Sequence, residues 1–212
     1  MPSTFKKFIE SLAHVKAPGP STTFSMFHIF LALELMAGKP IGRNKLADKL
    51  NVGDGAIRTI ISRLRDTGLI QASKEGCHLT EKGVKIWRQF EEFFPERAEI
   101  GRTELTNAEY NYGFLIKNSG QKVKSGIEQR DAAIMGGAKR AIAIVSKDNR
   151  LIIESISKDI KKEYSKAADQ ILKDFKPEDN DVIIIAGADT LLKAKRGAFA
   201  ASWVLVDSDR KK

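Results

Sequence analysis

Apolar residues keep two different spacings along this chain. From Phe24 to Phe94 they recur three and four positions apart between short turns, as in helices with one buried face. After about residue 100, short runs rich in Ile and Val alternate with helical stretches, the pattern of a sheet covered by helices. In the first half the spacing predicts a helix from about Ser21, a suitable N-cap, to Ala37, stopped by Gly38 and Pro40. A second covers Arg43 to Leu50. The turn Asn51-Val52-Gly53 leads to a third, Asp54 to Thr67, ended by Gly68. Two strand-like pieces, Leu69–Ala72 and Cys77–Leu79, flank the turn Ser73-Lys74-Glu75-Gly76. Thr80 then caps a helix to about Phe94. The polar passage Pro95–Asn107, with Pro95 and Gly101, reads as a linker, so the expected domains are residues 1–98 and 110–212.

Helix, helix, turn, helix, hairpin, helix is the layout of a winged helix-turn-helix. The run Ile41–Ile70 resembles the core of MarR- and DtxR-type regulators, and Leu79-Thr80-Glu81-Lys82-Gly83 resembles the "LTxKG" that follows the wing in those families. These segments cover about a third of the chain. The whole arrangement is similar to archaeal winged-helix regulators with an uncharacterised C-terminal domain. The resemblance implies double-stranded DNA as a partner; a homodimer would set two reading helices on a pseudo-palindrome.

The third helix fits that role. At about 100° per residue, Ile57, Ile60, Ile61 and Leu64 share the face to be buried. Gly55, Thr59, Ser62 and Asp66 then point outward, with Arg58 and Arg65 on one flank and Arg63 on the other. The expected DNA contacts are Gly55, Arg58, Thr59, Ser62 and Arg63, joined by Arg43 and Lys45 from the preceding helix and by Lys74 and His78 in the wing. A solvated helix face is the plain alternative for each basic residue. Asp54 reads as a helix cap and Asp66 as lying beyond the groove. The aromatic run Ile86–Phe94 is expected to pack on the stripe Phe24, Phe27, Phe30 and Leu31, with pairing between copies as the alternative.

The second half reads strand (Tyr112–Lys117), helix (Gly126–Gly137), strand (Arg140–Ser146), strand (Leu151–Glu154), helix (Lys158–Phe175), strand (Asp181–Ala186), helix (Leu191–Ser202). That order predicts a ferredoxin-like βαββαβ domain with helices on one face of the sheet, and an α+β chain as a whole. Such a domain would dimerise or bind a small-molecule effector. Lys124, Glu128, Arg130 and Asp131 are the candidate effector residues, with Lys122 beside them. Their plain readings are a capping box, Ser125-x-x-Glu128, and an exposed Arg130–Asp131 pair. Ala186-Gly187-Ala188-Asp189-Thr190 follows a strand but lacks a dinucleotide fingerprint. The small residues Gly197–Ser202 read as a site of close helix packing.

Composition narrows the partner. The chain has 36 Lys+Arg against 27 Asp+Glu, a net charge of +9, which favours an anionic partner. Residues 1–100 hold fifteen basic and eleven acidic side chains, so bulk charge does not choose between the halves. Placement does: Arg43 to Arg88 holds ten basic residues against five acidic. A lone cysteine, Cys77, excludes an internal disulfide and suits a reducing cytoplasm. It reads as a packing residue rather than a redox sensor. No run is apolar and long enough to span a bilayer. His14, His28 and His78 are far apart in sequence, and no metal or cofactor motif is present. A cytoplasmic, non-enzymatic regulator is therefore expected. An enzyme using Arg130 and Asp131, with the winged helix as a docking appendage, is the alternative.

Overall fold

The computed structural model describes residues 4–14 and 23–206. Its first unit, which ends at Phe90, is helical with one small hairpin. Helix α1 (Thr4–Ala13) places Phe5, Ile9 and Leu12 at i, i+4 and i+7, and all three are buried. Its basic residues hid that spacing in the sequence. α2 (Met26–Gly38) starts from Ser25, whose N–H donates to His28 Nδ1 at 2.9 Å. Ser21, the expected cap, lies outside the described residues. Phe27 to Leu33 are buried without a break, so α2 is the central helix of the unit.

α3 (Arg43–Leu50) and α4 (Asp54–Asp66) form where the periodicity places them. Between them Asn51 takes a left-handed conformation, φ 53°, which its short polar side chain tolerates. β1 (Ile70–Ser73) and β2 (Gly76–Leu79) make an antiparallel hairpin. Cys77 exchanges two backbone hydrogen bonds with Ile41, at 2.9 and 3.0 Å, which ties the hairpin to the chain entering α3. Gly76 makes this possible: with φ at +128°, a Cβ there would lie 2.5 Å from the Ile41 carbonyl carbon. α5 (Glu81–Phe93) lays Trp87 and Phe90 against Phe30, ring centroids 5.7 and 5.3 Å apart, and Phe90 also meets Phe5 at 5.0 Å. The aromatic helix thus spends this face inside its own chain.

The second unit begins at Glu91, earlier than the expected 110. The passage that reads as a linker contains β3 (Arg97–Ile100), an edge strand paired with β4 (Tyr110–Ile116). Only Ile100 of β3 is fully buried, so its alternation is too weak to see between Pro95 and Gly101. There follow α6 (Ile127–Met135), β5 (Arg140–Lys147), β6 (Arg150–Ile152), α7 (Ile160–Glu163), α8 (Ser165–Phe175), β7 (Val182–Ala188) and α9 (Leu191–Leu205).

The sheet order is β3-β4-β7-β5-β6, and every neighbouring pair is antiparallel. The ferredoxin-like expectation places the helices on one face of an antiparallel sheet, and it is the packing of the helices that departs from it. The physical reason lies in β7. All seven of its residues are buried, so it takes the centre, between β4 and β5, with both edges paired. Leu115, Ile183 and Ile144 form one cross-strand row; Phe114, Ile184 and Ala143 form the row on the opposite face. The first face packs on Ala168, Ile171 and Phe175 of α8. The second meets Phe199 of α9, whose ring lies 6.2 Å from that of Phe114. Helices therefore cover both faces rather than one, which is why β7 reads as a continuous apolar run.

One buried carboxylate closes the loop before β7. Asp181, 2% exposed, accepts from Lys117 Nζ at 3.0 Å, Asn118 N–H at 2.9 Å and Glu178 N–H at 2.8 Å. Burial alone would lower the Lys117 pKa, but its bonds to Glu178 and Asp181 outweigh that and hold it above the ordinary lysine value. The stability this linkage supplies is complete below the ordinary value of about 10.4 and is lost as pH rises through the folded-state pKa. Asp181→Ala should cost about 3–5 kcal/mol in urea unfolding, since it strands a partly buried amine and two amides. Glu178→Ala should cost under about 1 kcal/mol, because that carboxylate is 79% exposed.

Candidate nucleic-acid interface

α4 buries Ala56, Ile57, Ile60 and Leu64, and Ile61 is half-buried at the margin. Half a turn away, Gly55, Arg58 and Thr59 are exposed, with Ser62 partly exposed further along. Nothing lies within 4 Å of a Cβ built on Gly55, so the start of the helix is open to close approach. Arg58 reaches back to Asp54 at 2.6 Å, and Arg43 of α3 lies 3.8 Å from the same carboxylate. Asp54 is not the cap, a place taken by Gly53. It holds two arginines side by side on the exposed surface, a role the i, i+4 spacing to Arg58 signals in the sequence. Thr59 Oγ1 donates to Gly55 O at 2.9 Å, and Ser62 Oγ donates to Asp66 at 3.2 Å. Both hydroxyls therefore keep acceptor capacity toward solvent. Lys45 is exposed on α3.

Two expected contacts are placed differently. Arg63 turns toward the end of α1, donating to Leu12 O at 2.8 Å and His14 O at 2.7 Å, with its guanidinium 5.1 Å from the Phe24 ring centre. It ties the last carbonyls of α1 to α4 and leaves the exposed face. In the hairpin Lys74 is exposed, but His78 is half-buried beside a hollow of about 760 Å³ that Met36, Lys39 and Trp87 also line. His78 Nε2 lies 2.9 Å from Gln71 Nε2, and its Nδ1 is buried without a hydrogen-bond partner among the described residues. Burial pushes the Cys77 thiol up despite the charge of Arg65, the opposite of what a reactive thiolate needs.

The segment Leu79–Gly83 fixes where α4 ends and α5 begins. Thr80 Oγ1 donates to Gly68 O at 2.6 Å and accepts from Gly83 N–H at 3.1 Å. Lys82 Nζ reaches Thr67 O at 2.8 Å. Gly83 is obligatory because a Cβ would lie 2.0 Å from Leu69 O. Thr80, Lys82 and Gly83 of this motif thus each serve the junction that holds the end of α4.

In the second unit Lys124, Glu128 and Asp131 line a hollow of about 650 Å³, and all three are exposed. Arg130 is outside its lining and pairs with the adjacent Asp131 at 3.0 Å. Ser125 does not cap α6: Gly126, at φ +74°, is the N-cap, and no side chain caps the helix. Gly187 is glycine for packing, since a Cβ would lie 2.5 Å from that of Ala108, and Thr190 caps α9 through Lys193 N–H. Among the described residues no group of three or more His, Cys, Asp or Glu comes together as a metal site, and no helix is long and apolar enough to cross a membrane.

Residues 25–94 match the family described as CggR N-terminal DNA binding domain. Residues 107–205 match a Domain of unknown function (DUF4443). Among solved structures, the hypothetical protein PH0730 from Pyrococcus horikoshii OT3 is similar, with 28% identity and a TM-score of 0.70 over 86% of this chain and 92% of that one. No curated protein matches.

The two helical glycines should respond in opposite ways. Gly55→Ala, in open space, should raise stability by about 0.5–1 kcal/mol, whereas Gly83→Ala should lower it by about 1–3 kcal/mol. Thermal unfolding followed by circular dichroism separates the two outcomes.

Proposed function

We propose that the chain is a DNA-binding transcription regulator whose first unit is a winged helix-turn-helix. The observation that carries this reading is α4: it is anchored by Ile57, Ile60 and Leu64 and presents Arg58, Thr59 and Ser62 outward from an open Gly55. The match of residues 25–94 to a family named for DNA binding supports it. In this reading α4 enters the major groove, Arg58 reads a base edge, and Arg43 and Lys45 meet phosphates, with Lys74 on the adjoining backbone. The hairpin is then the wing, held by the two Cys77–Ile41 hydrogen bonds to the chain entering α3. The second unit dimerises. Its polar cluster is exposed rather than enclosed, which fits a surface contact better than a buried small-molecule site or a catalytic centre.

The test selects duplexes from a random pool with the full chain, then measures affinity for the selected site. Arg58→Ala should weaken specific binding by about 1–3 kcal/mol if it reads a base, and Lys45→Ala should weaken all duplexes alike. Log affinity should fall with log salt at about 0.9 per phosphate neutralised. Unchanged binding by both Arg58→Ala and Ser62→Ala would remove α4 from the interface.

A further inference from the structure

α6 is locked to its own unit on one side. Ala133 is fully buried, Gly136 lies 3.0 Å (as a built Cβ) from the Cα of Gly197, and Arg196 Nε donates to the Gly136 carbonyl. A Cβ on Gly197 would lie 2.5 Å from that of Ala138, so the two helices are as close as their backbones permit. The opposite side of α6 faces solvent and sets exposed aliphatic side chains among Glu128, Arg130 and Asp131. Ile127 is 52% exposed, Ile134 44% and Met135 90%. Seven residues along a helix return to within about 20° of the same direction, so Ile127 and Ile134 share one line. Arg130 and Asp131 flank that line between them, both exposed.

This face reads the same in both directions. If a second α6 lies antiparallel across a two-fold axis passing between residues 130 and 131, Ile127 faces Ile134 of the other copy. Arg130 then faces the other copy's Asp131, and the reverse contact repeats by symmetry. In the same register Met135 faces the other copy's Gly126, which lines the hollow of about 650 Å³ together with Ala132 and Val204. A stable specific interface buries upward of about 1,200 Å², more than one short helix pair supplies. The methionine seated in the neighbouring hollow extends the contact on both sides of the axis. We infer that the occupant of this face is a second copy of this chain, joined through an isologous α6–α6 contact with the Arg130–Asp131 pairs shared at the axis. This deepens the dimeric reading above and rests on it.

The charge pair gives a test in which folding and assembly separate. The full chain, free of DNA, is run in sedimentation equilibrium. The expected result is a species of twice 23.5 kDa at micromolar concentration. Arg130→Asp puts four carboxylates at the axis and should raise the dimer dissociation constant at least about tenfold, with the far-UV circular dichroism spectrum of the folded chain unchanged. The double swap Arg130→Asp with Asp131→Arg restores the facing pairs and should restore the dimer. A monomeric natural chain, a dimer indifferent to Arg130→Asp, or a double swap no better than the single variant would overturn the assignment. Binding to a half-site duplex separates this from the DNA reading: Arg130→Asp should leave it unaltered, and losing it would indict the DNA reading instead.

Discussion

A helix that packs hard along one side must show solvent the residues half a turn away, and two elements of this protein are governed by that constraint. In α4 the packed side is Ile57, Ile60 and Leu64, each at zero exposure. Nothing about Arg58 or Thr59 is strained or buried; they face outward because the three aliphatic side chains fix the rotation of the helix about its axis. In α6 the packed side is Ala133 and Gly136 against Gly197, where close backbone approach sets the rotation. The outward side there is Ile127, Ile134 and Met135. One outward face is polar and positively charged; the other sets exposed aliphatic side chains beside Glu128, Arg130 and Asp131. Those are the surfaces expected for a polyanion and for a second protein chain respectively.

Rotation alone does not position α4; its ends are fixed as well. Gly53 opens the helix after the left-handed Asn51, and the far end is closed by Thr80 and Lys82 taking the carbonyls of Gly68 and Thr67. Arg63 adds a third tether, to the end of α1. The helix that carries the exposed arginine is thus held along its length and at its C-terminal end by side chains that spend their hydrogen-bonding capacity inside the unit. Asp54, which looks unfavourable for an anionic partner, sits between Arg43 and Arg58 and orders them. Two guanidinium groups against one carboxylate leave the local charge positive.

Local features were legible and pairings were not. α3, α4 and the hairpin follow from spacing, a left-handed asparagine and glycine turns, all of them encoded within a few residues. The inward and outward faces of α4 follow from the same periodicity, apart from Arg63, whose flank could be resolved only once α1 was known. α1 itself was hidden because Lys6, Lys7 and Glu10 mask Phe5, Ile9 and Leu12. β3 was hidden because an edge strand with one buried residue carries almost no alternation. The order of the sheet was out of reach for a different reason: register and neighbours are set by contacts far apart in sequence. The all-buried run Val182–Ala188 was the one available hint that β7 is central. Gly126 displaced Ser125 as the cap of α6 through a positive φ that sequence pattern does not report.

In the proposed dimer two copies present two α4 helices to one face of a duplex. Hydroxyl-radical footprinting of the full chain on a site selected from random duplexes measures it directly. The expected result is two protected patches of equal strength on the same face of the DNA, centred about 10–10.5 base pairs or a multiple of that apart. A single protected patch, or uniform protection without a preferred site, would contradict it.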